Sequence, residues 1–143
     1  MLKQEFIDRM DGKPWKNRAC TFDAADCWGL IALYYRQVLG VNIHHTDDYE
    51  SDREFLTCYQ GEIVFWRQAT APSDGCMFVA YEDQHPKHVG LVLYGQAFHS
   101  RGESGHVRLD KLRTLQKVYS KVEFYTYASY RDSARSGDAQ RAA

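Results

Sequence analysis

The sequence has no long apolar run and almost no net charge, and each of these absences argues against a class of function. Residues 1–15 contain no apolar stretch of signal-peptide length, and no later stretch approaches the roughly 18 apolar residues of a membrane span. We therefore expect a protein made in the cytoplasm and not inserted in a membrane. With a formal net charge of -1, the chain has no excess of basic residues from which to form a long phosphate-binding surface, so nucleic-acid binding is disfavoured.

The cysteines and histidines lack the paired spacing of a structural zinc site. No C-x-x-C pair occurs, and the six histidines are scattered, so neither a metal nor another cofactor is expected. A disulfide between Cys20 and Cys27 stays open, although a reducing compartment argues against it. The four cysteines are Cys20, Cys27, Cys58 and Cys76.

The length of 143 residues predicts one domain, because it allows a proper core but not two domains of ordinary size. We expect this domain over residues 1–131. A tail of small polar residues without periodicity follows at 132–143. Aromatic residues make up 14% of the chain, which suits a dense core or a surface that docks on sugars or proteins.

The segment 23–40, DAADCWGLIALYYRQVLG, predicts a central helix that is buried on most sides. Asp23 is its expected N-cap, with Asp26 three residues later, and Gly40 is the expected left-handed residue at its end. This helix carries Cys27 in its first turn. Unpaired N–H groups and the helix dipole there predict a lowered thiol pKa and hence a nucleophilic thiolate. The alternative is a small buried cysteine that serves only packing.

The rest of the pattern predicts an α+β fold. Gly95 and Gln96 are the expected loop of a β-hairpin in which Tyr94 pairs with Ala97. Further helices are predicted at 2–11, at 54–68 and, with Asp110 as cap, at 111–117. Strands are predicted at 76–81, 88–94, 97–100, 106–109 and 121–131, the last of which closes the sheet.

A cysteine nucleophile needs a base within hydrogen-bond reach, and that base needs a third group to orient it. His88 begins a predicted strand and His99 lies in the neighbouring strand, so packing of the Cys27 helix on this sheet brings both near the thiol. On spacing alone, a histidine at a strand start is more often a surface or hydrogen-bonded structural residue. Three other histidines lie in predicted loops: His44, His45 and His85.

Three motifs occur in an order that resembles the NlpC family of papain-like cell-wall cysteine peptidases. They are DCWGL at 26–30, HVG at 88–90 and FH at 98–99, and the resemblance extends from about Gly12 to about Leu112. It implies an α+β papain-like fold with the cysteine helix packed on an antiparallel sheet. It also implies Cys27 as nucleophile, His88 as general base and acid, and His99 as the residue that orients the base.

Two further residues acquire possible roles from this resemblance. Pro14-Trp15 resembles the segment where the family often has Pro-Tyr, so the Trp15 indole N–H is an expected second oxyanion donor beside the Cys27 backbone N–H. Asp26 has two alternative roles. It binds a substrate ammonium group, or it supplies a favourable charge in the first helical turn.

The resemblance implies a cysteine peptidase or amidase that cleaves the peptide part of peptidoglycan. Trp28, in place of the commoner Ser, and the VEFYTY strand at 122–127 resemble the tail-assembly branch of tailed bacteriophages. That branch implies phage tail-tip proteins as partners and the virion as the location. Two alternatives stay open: a structural tail-tip module with a dormant site, and an acyltransferase or amidase that acts on a small metabolite.

Overall fold

One antiparallel sheet carries the helices of this protein. The computed structural model describes residues 1–43, 63–102 and 105–127. Neighbouring strands pair antiparallel in the order β1-β6-β2-β3-β4-β5, so the predicted antiparallel sheet is confirmed. The strands are β1 (Trp66–Ala69), β2 (Met77–Glu82), β3 (His85–Leu93), β4 (Gln96–Ser100), β5 (Val107–Lys111) and β6 (Lys121–Tyr127).

The first helix, α1 (Lys3–Met10), forms where the apolar spacing predicts it and buries Phe6, Ile7 and Met10. Leu2, the first residue of the predicted helix, is 69% exposed because it precedes the first helical turn. The chain leaves the helix through Gly12, whose φ of +83° is a conformation that glycine adopts without steric cost.

The central helix, α2 (Cys27–Tyr34), begins later than its sequence pattern predicts. Asp26, not Asp23, is the N-cap: its carboxylate accepts a hydrogen bond from the Gly29 backbone N–H at 2.6 Å. The helix continues as a π-helical turn, Tyr35–Leu39, and ends at Gly40 with φ +70°, as predicted. Burial on most sides is confirmed, since six of its eight residues are buried.

Two packed layers cover the two faces of the sheet. Helices α1 and α2 share the larger core with one face, which includes Val89 and Leu91 of β3. Helix α3 (Leu112–Val118) covers part of the other face, where Leu115 packs with Phe78 and Val92. Ser100 on β4 donates a buried hydrogen bond of 2.5 Å to the Ala25 carbonyl, which ties the segment just before α2 to the sheet.

The position of the last strand differs from the prediction. Strand β6 lies inside the sheet, between β1 and β2, and does not close it; β1 forms that edge. The helix predicted at 54–68 is wrong at its end, where residues 63–65 form a 3-10 turn and Trp66 starts β1. Trp66 packs edge-on against Tyr127 at 5.1 Å between ring centroids, so cross-strand aromatic contacts outweigh the helical spacing.

The hairpin between β3 and β4 turns one residue earlier than predicted. Tyr94 and Gly95 form the loop, both with positive φ, and Leu93 pairs with Gln96. In a two-residue hairpin, positive φ at both central residues gives the turn a twist that matches the twist of the two flanking strands. This register shift decides how His88 and His99 meet.

Several predictions fall outside the described residues. The histidines His44 and His45, most of the predicted helix 54–68 and Cys58 lie within 44–62, and the tail 132–143 with the domain end at 131 lies within 128–143. The single domain over 1–131 therefore stays a prediction. Cys27 and Cys76 are free thiols, so the Cys20–Cys27 disulfide does not form. Among the described helices, none has the length and apolar character needed to cross a membrane.

Candidate active site

Cys27 is the first residue of α2 and lies against β3. Backbone N–H groups of Val89, Trp28 and Cys27 itself lie close enough to its sulfur to act against the rise of its pKa. Since Val89 follows His88, the structure brings the thiol next to the strand segment that carries the expected base. The hydrogen bond described for the His88 ring goes to His99 and not to the thiol.

The thiol pKa differs from the sequence-based prediction in direction. Burial of the sulfur and the neighbouring Asp26 carboxylate raise the pKa of Cys27 to about 12, and this outweighs the opposing backbone N–H groups. The helix-terminal effect is therefore present but smaller than the cost of burying a negative charge. In the absence of substrate the site holds a neutral thiol.

His88 and His99 are hydrogen-bonded to each other across β3 and β4. His88 Nε2 lies 2.7 Å from His99 Nδ1, and both rings are buried, at 7% and 1% exposure. Gly90 leaves the room for this contact, because a Cβ at Gly90 would lie 2.7 Å from the His99 Cβ and would overlap the Phe78 ring. The glycine of the HVG motif thus has a packing reason.

Asp110 extends this hydrogen-bonded pair, although its sequence position predicts a helix cap. Its Oδ2 lies 2.7 Å from His99 Nε2 and 2.9 Å from Arg108 Nε. The predicted helix cap is wrong: α3 has Lys111 as N-cap residue, with no side-chain cap bond. Strand register explains the difference, because His99 is paired with Arg108 and Asp110 is the diagonal neighbour two residues further along β5.

The Asp110 carboxylate is the ionised end of the hydrogen-bond chain. Burial raises its pKa, but the hydrogen bonds from His99 and Arg108 and the positive charge of Arg108 outweigh that effect and hold the pKa below its ordinary value. A carboxylate only accepts, so His99 Nε2 carries the proton that it receives. The neutral His99 ring then accepts at Nδ1 from the His88 Nε2–H. This leaves His88 Nδ1 unprotonated, as the predicted role of His88 as a base requires.

His88 stays neutral in this environment. Burial, the His99 ring and the charge of Arg101 lower the pKa of His88 to about 3. Tyr119, a residue that sequence reasoning missed, stacks on the His88 ring with centroids 6.2 Å apart and an interplanar angle of 17°. An aromatic residue just after a short helix gives no sequence signal for such a role.

The other two predicted site residues have structural contacts. Both Asp26 carboxylate oxygens accept backbone N–H bonds, from Gly29 at 2.6 Å and from Arg18 at 2.7 Å, and Asp26 is buried. These bonds favour the helix-cap role, and the ammonium-binding role stays a prediction. Trp15 is partly buried, and its backbone N–H donates to Gly105 at 3.0 Å. The oxyanion role of its indole stays a prediction too.

Asp110→Asn is expected to lower kcat/KM of the peptidase reaction that the family resemblance implies by about 10- to 100-fold. The reason is that the asparagine side-chain amide, unlike a carboxylate, does not force the proton onto His99 Nε2. Asp110 acts here as a positioning residue, so the informative measurement is the full pH profile, with partial recovery expected in Asp110→Glu. Asp23→Asn, an exposed carboxylate outside the chain of hydrogen bonds, is the matched control. Parent-like kinetics in a folded Asp110→Asn protein would contradict the tautomer assignment.

The sequence of this chain matches one known protein family. The sequence profile of the NlpC/P60 family matches residues 12–127. None of the curated protein sequences matches the chain.

Two solved structures have a similar fold. One is the NlpC/p60 domain of the peptidoglycan hydrolase SagA, at 18% identity and a TM-score of 0.57, over 86% of this chain and 92% of that one. The other is NlpC1 from Trichomonas vaginalis, at 18% identity and a TM-score of 0.59, over 86% of this chain and 42% of that one. The chain thus spans less than half the length of the second protein. These similarities confirm the predicted papain-like α+β class.

Proposed function

The chain belongs to the NlpC/P60 family, and on that premise we propose that it hydrolyses an amide bond in the peptide part of peptidoglycan through a thioester on Cys27. The observation that carries the proposal is the chain of hydrogen bonds from Asp110 through His99 to His88, whose chain neighbour Val89 lies against the Cys27 sulfur. Such a chain orients a neutral base toward a nucleophile. A cysteine that served only packing would not need it.

The reaction follows from the protons that the site holds. The Cys27 sulfur attacks the carbonyl carbon while its proton moves to His88 Nδ1, and the Cys27 backbone N–H stabilises the oxyanion, with the Trp15 indole as the proposed second donor. His88 returns the proton to the leaving nitrogen as the C–N bond breaks. Water then attacks the thioester and loses a proton to His88. The C–S bond breaks, the carboxylic acid leaves, and His88 returns the proton to the Cys27 sulfur. The thiol is restored.

Substrate binding is the event that starts proton transfer. The resting thiol and imidazole are both neutral, and ionising either alone in the buried site is unfavourable. When substrate covers the site, the thiolate and imidazolium form together and attract each other in a water-poor environment. Reaction at Cys27 is therefore expected to be slow, but measurable, with small reagents such as iodoacetamide and much faster with a substrate that fills the site.

The proposed setting is a phage tail tip, with tail-tip proteins as partners. Two features support it: Trp28 in the nucleophile motif and the aromatic strand β6. They meet in one cluster, where Trp66 makes edge contacts with Trp28 at 6.2 Å and with Tyr127 at 5.1 Å. In this setting the tail delivers the domain to the cell wall. The second candidate, a structural tail-tip module, rests on the same aromatic cluster and needs no reaction at Cys27.

Incubation with purified cell wall and with isolated muropeptides tests the hydrolase proposal. We expect new free amines and fragments whose masses identify one cleaved amide bond, and none of these from the Cys27→Ala variant. Products that are equal for parent and variant would contradict hydrolysis. In a phage that encodes the chain, normal infection by Cys27→Ala together with failed assembly on deletion would favour the structural module.

A further inference from the structure

An open cleft of about 540 Å³ lies beside His88, which forms part of its lining. Tyr119, which stacks on His88, forms part of its wall. Most of its other lining side chains are basic. The cleft is lined by Lys87, His88, Arg101, Gly102, Gly105, His106, Arg108 and Tyr119.

The positive charge of this cleft is only partly neutralised. Arg108 is paired with Asp110, at 2.9 Å. Within the described ranges, no carboxylate lies at ion-pair distance from Lys87 or Arg101, and both are exposed. The charge of Arg101 reaches the histidines, because it contributes to lowering the pKa of both His88 and His99. A cation placed beside a base that must itself become positive is costly unless it has a ligand to bind.

The backbone holds Arg101 in place at the end of β4. Its N–H donates to the His106 carbonyl at 3.3 Å, and the Gly105 N–H donates to Gly102 at 2.9 Å. A Cβ at Gly105 would overlap the Arg101 carbonyl, so this tight turn accepts only glycine there. The Trp15 N–H bond to Gly105 fastens the same turn to the segment before α2. Backbone hydrogen bonds thus hold Arg101 and Gly105, two of the lining residues, to neighbouring segments.

The position of the cleft relates it to one side of the scissile bond. His88 gives its proton to the leaving amine, so the leaving residue lies next to His88 at that step. We propose that this cleft binds a free carboxylate on the leaving-group residue of the substrate, through Arg101 and Lys87. The inference rests on the proposed function, which supplies the peptidoglycan substrate. It adds that the residue on the leaving side of the cleaved bond carries a free carboxylate. A guanidinium matches a carboxylate in two parallel hydrogen bonds.

Alkylation of Cys27 tests the cleft without any peptidoglycan. Iodoacetate and iodoacetamide differ by one negative charge, and labelling of the Cys27 peptide can be followed by mass spectrometry for each reagent. In Arg101→Gln we expect the iodoacetate rate to fall about 10-fold while the iodoacetamide rate changes less than about 2-fold. Lys87→Gln is a second variant with the same expected sign. An unchanged ratio of the two rates in both variants overturns the proposal.

Arg36→Gln is the matched control for net charge. Arg36 is exposed in the π-helical turn, nine residues from Cys27, and does not line the cleft. Its variant is expected to keep the parental ratio of rates. Circular dichroism verifies that each variant is folded, and because both reagents are measured on the same protein, a general loss of structure cannot imitate a change in their ratio.

A muropeptide prepared in two forms then connects the cleft with hydrolysis. In one form the carboxylate of the leaving residue is free, and in the other it is amidated. Arg101→Gln is expected to raise KM about 10-fold for the free acid and to leave the amide unchanged. Equal effects on both forms would overturn the inference. Absence of hydrolysis in the parent protein would contradict the proposed function instead, and the alkylation ratio would still judge the cleft.

Discussion

His88→Ala is expected to lower kcat/KM for amide hydrolysis about 10³-fold or more, because the site then has no group to take the thiol proton or to protonate the leaving amine. The loss is large because burial raises the pKa of Cys27 to about 12, so the thiol does not ionise by itself near neutral pH. Release of free amine from muropeptides measures the effect. Alkylation by iodoacetamide should slow as well.

His85→Ala is the matched control for this variant. His85 begins the same strand, β3, three residues earlier, and is exposed. Its replacement is expected to leave kcat/KM within about 2-fold of the parent value. If both variants lose activity equally, His88 has no special part in the reaction.

The pH profile of the parent protein gives a second measure of the same base. A free histidine protonates near 6.5, but burial, His99 and Arg101 lower the pKa of His88 to about 3. The base is neutral above its pKa, so activity is expected to persist down to about pH 4 and to be lost as the pH falls through about 3. An acidic limb near 6.5 would mean that the base is solvated and not the buried ring described here.

Gly29→Ala is expected to destabilise the fold by about 3 kcal/mol, although alanine is the better helix former by about 1 kcal/mol. Gly29 lies in the first turn of α2, where its Cβ would overlap the Ala19 carbonyl and lie 3.0 Å from the Asp26 Oδ1 atom. The Ala19 oxygen is a backbone atom that also accepts the Asp26 N–H, so it cannot move without breaking the cap. Urea unfolding measures the change.

Gly40→Ala is the control that separates crowding from backbone strain. Nothing lies within 4 Å of a Cβ at Gly40, but its φ of +70° is unfavourable for alanine. We expect a cost of about 1 kcal/mol there, from strain alone. A Gly29→Ala protein that is as stable as the parent would show that the segment before α2 can shift away from the helix.

Local signals were enough for several elements of the fold. Gly40 ends the central helix as predicted, because glycine adopts a left-handed conformation without steric cost and this depends only on the local chain. The β3–β4 hairpin was predicted within one residue of its true turn. Its register was not, because Tyr94-Gly95 and Gly95-Gln96 both resemble turn sequences and only the pairing of the strands distinguishes them.

Burial decided the state of the thiol. The sequence shows Cys27 near a helix start, and that position by itself predicts a low pKa. How deeply the sulfur lies, and how near the Asp26 charge is to it, depend on packing between α2 and β3. These two effects raise the pKa, so the local expectation had the wrong sign.

The sequence by itself determined the residue types available for chemistry and the elements that carry them: a cysteine at a helix start and histidines on adjacent strands. Only the tertiary structure decided which of these side chains are hydrogen-bonded to each other. His88 meets His99, and His99 meets Asp110, each across 11 residues of chain. Such contacts depend on strand register and on the room left by Gly90, and neither is encoded within a few neighbouring residues.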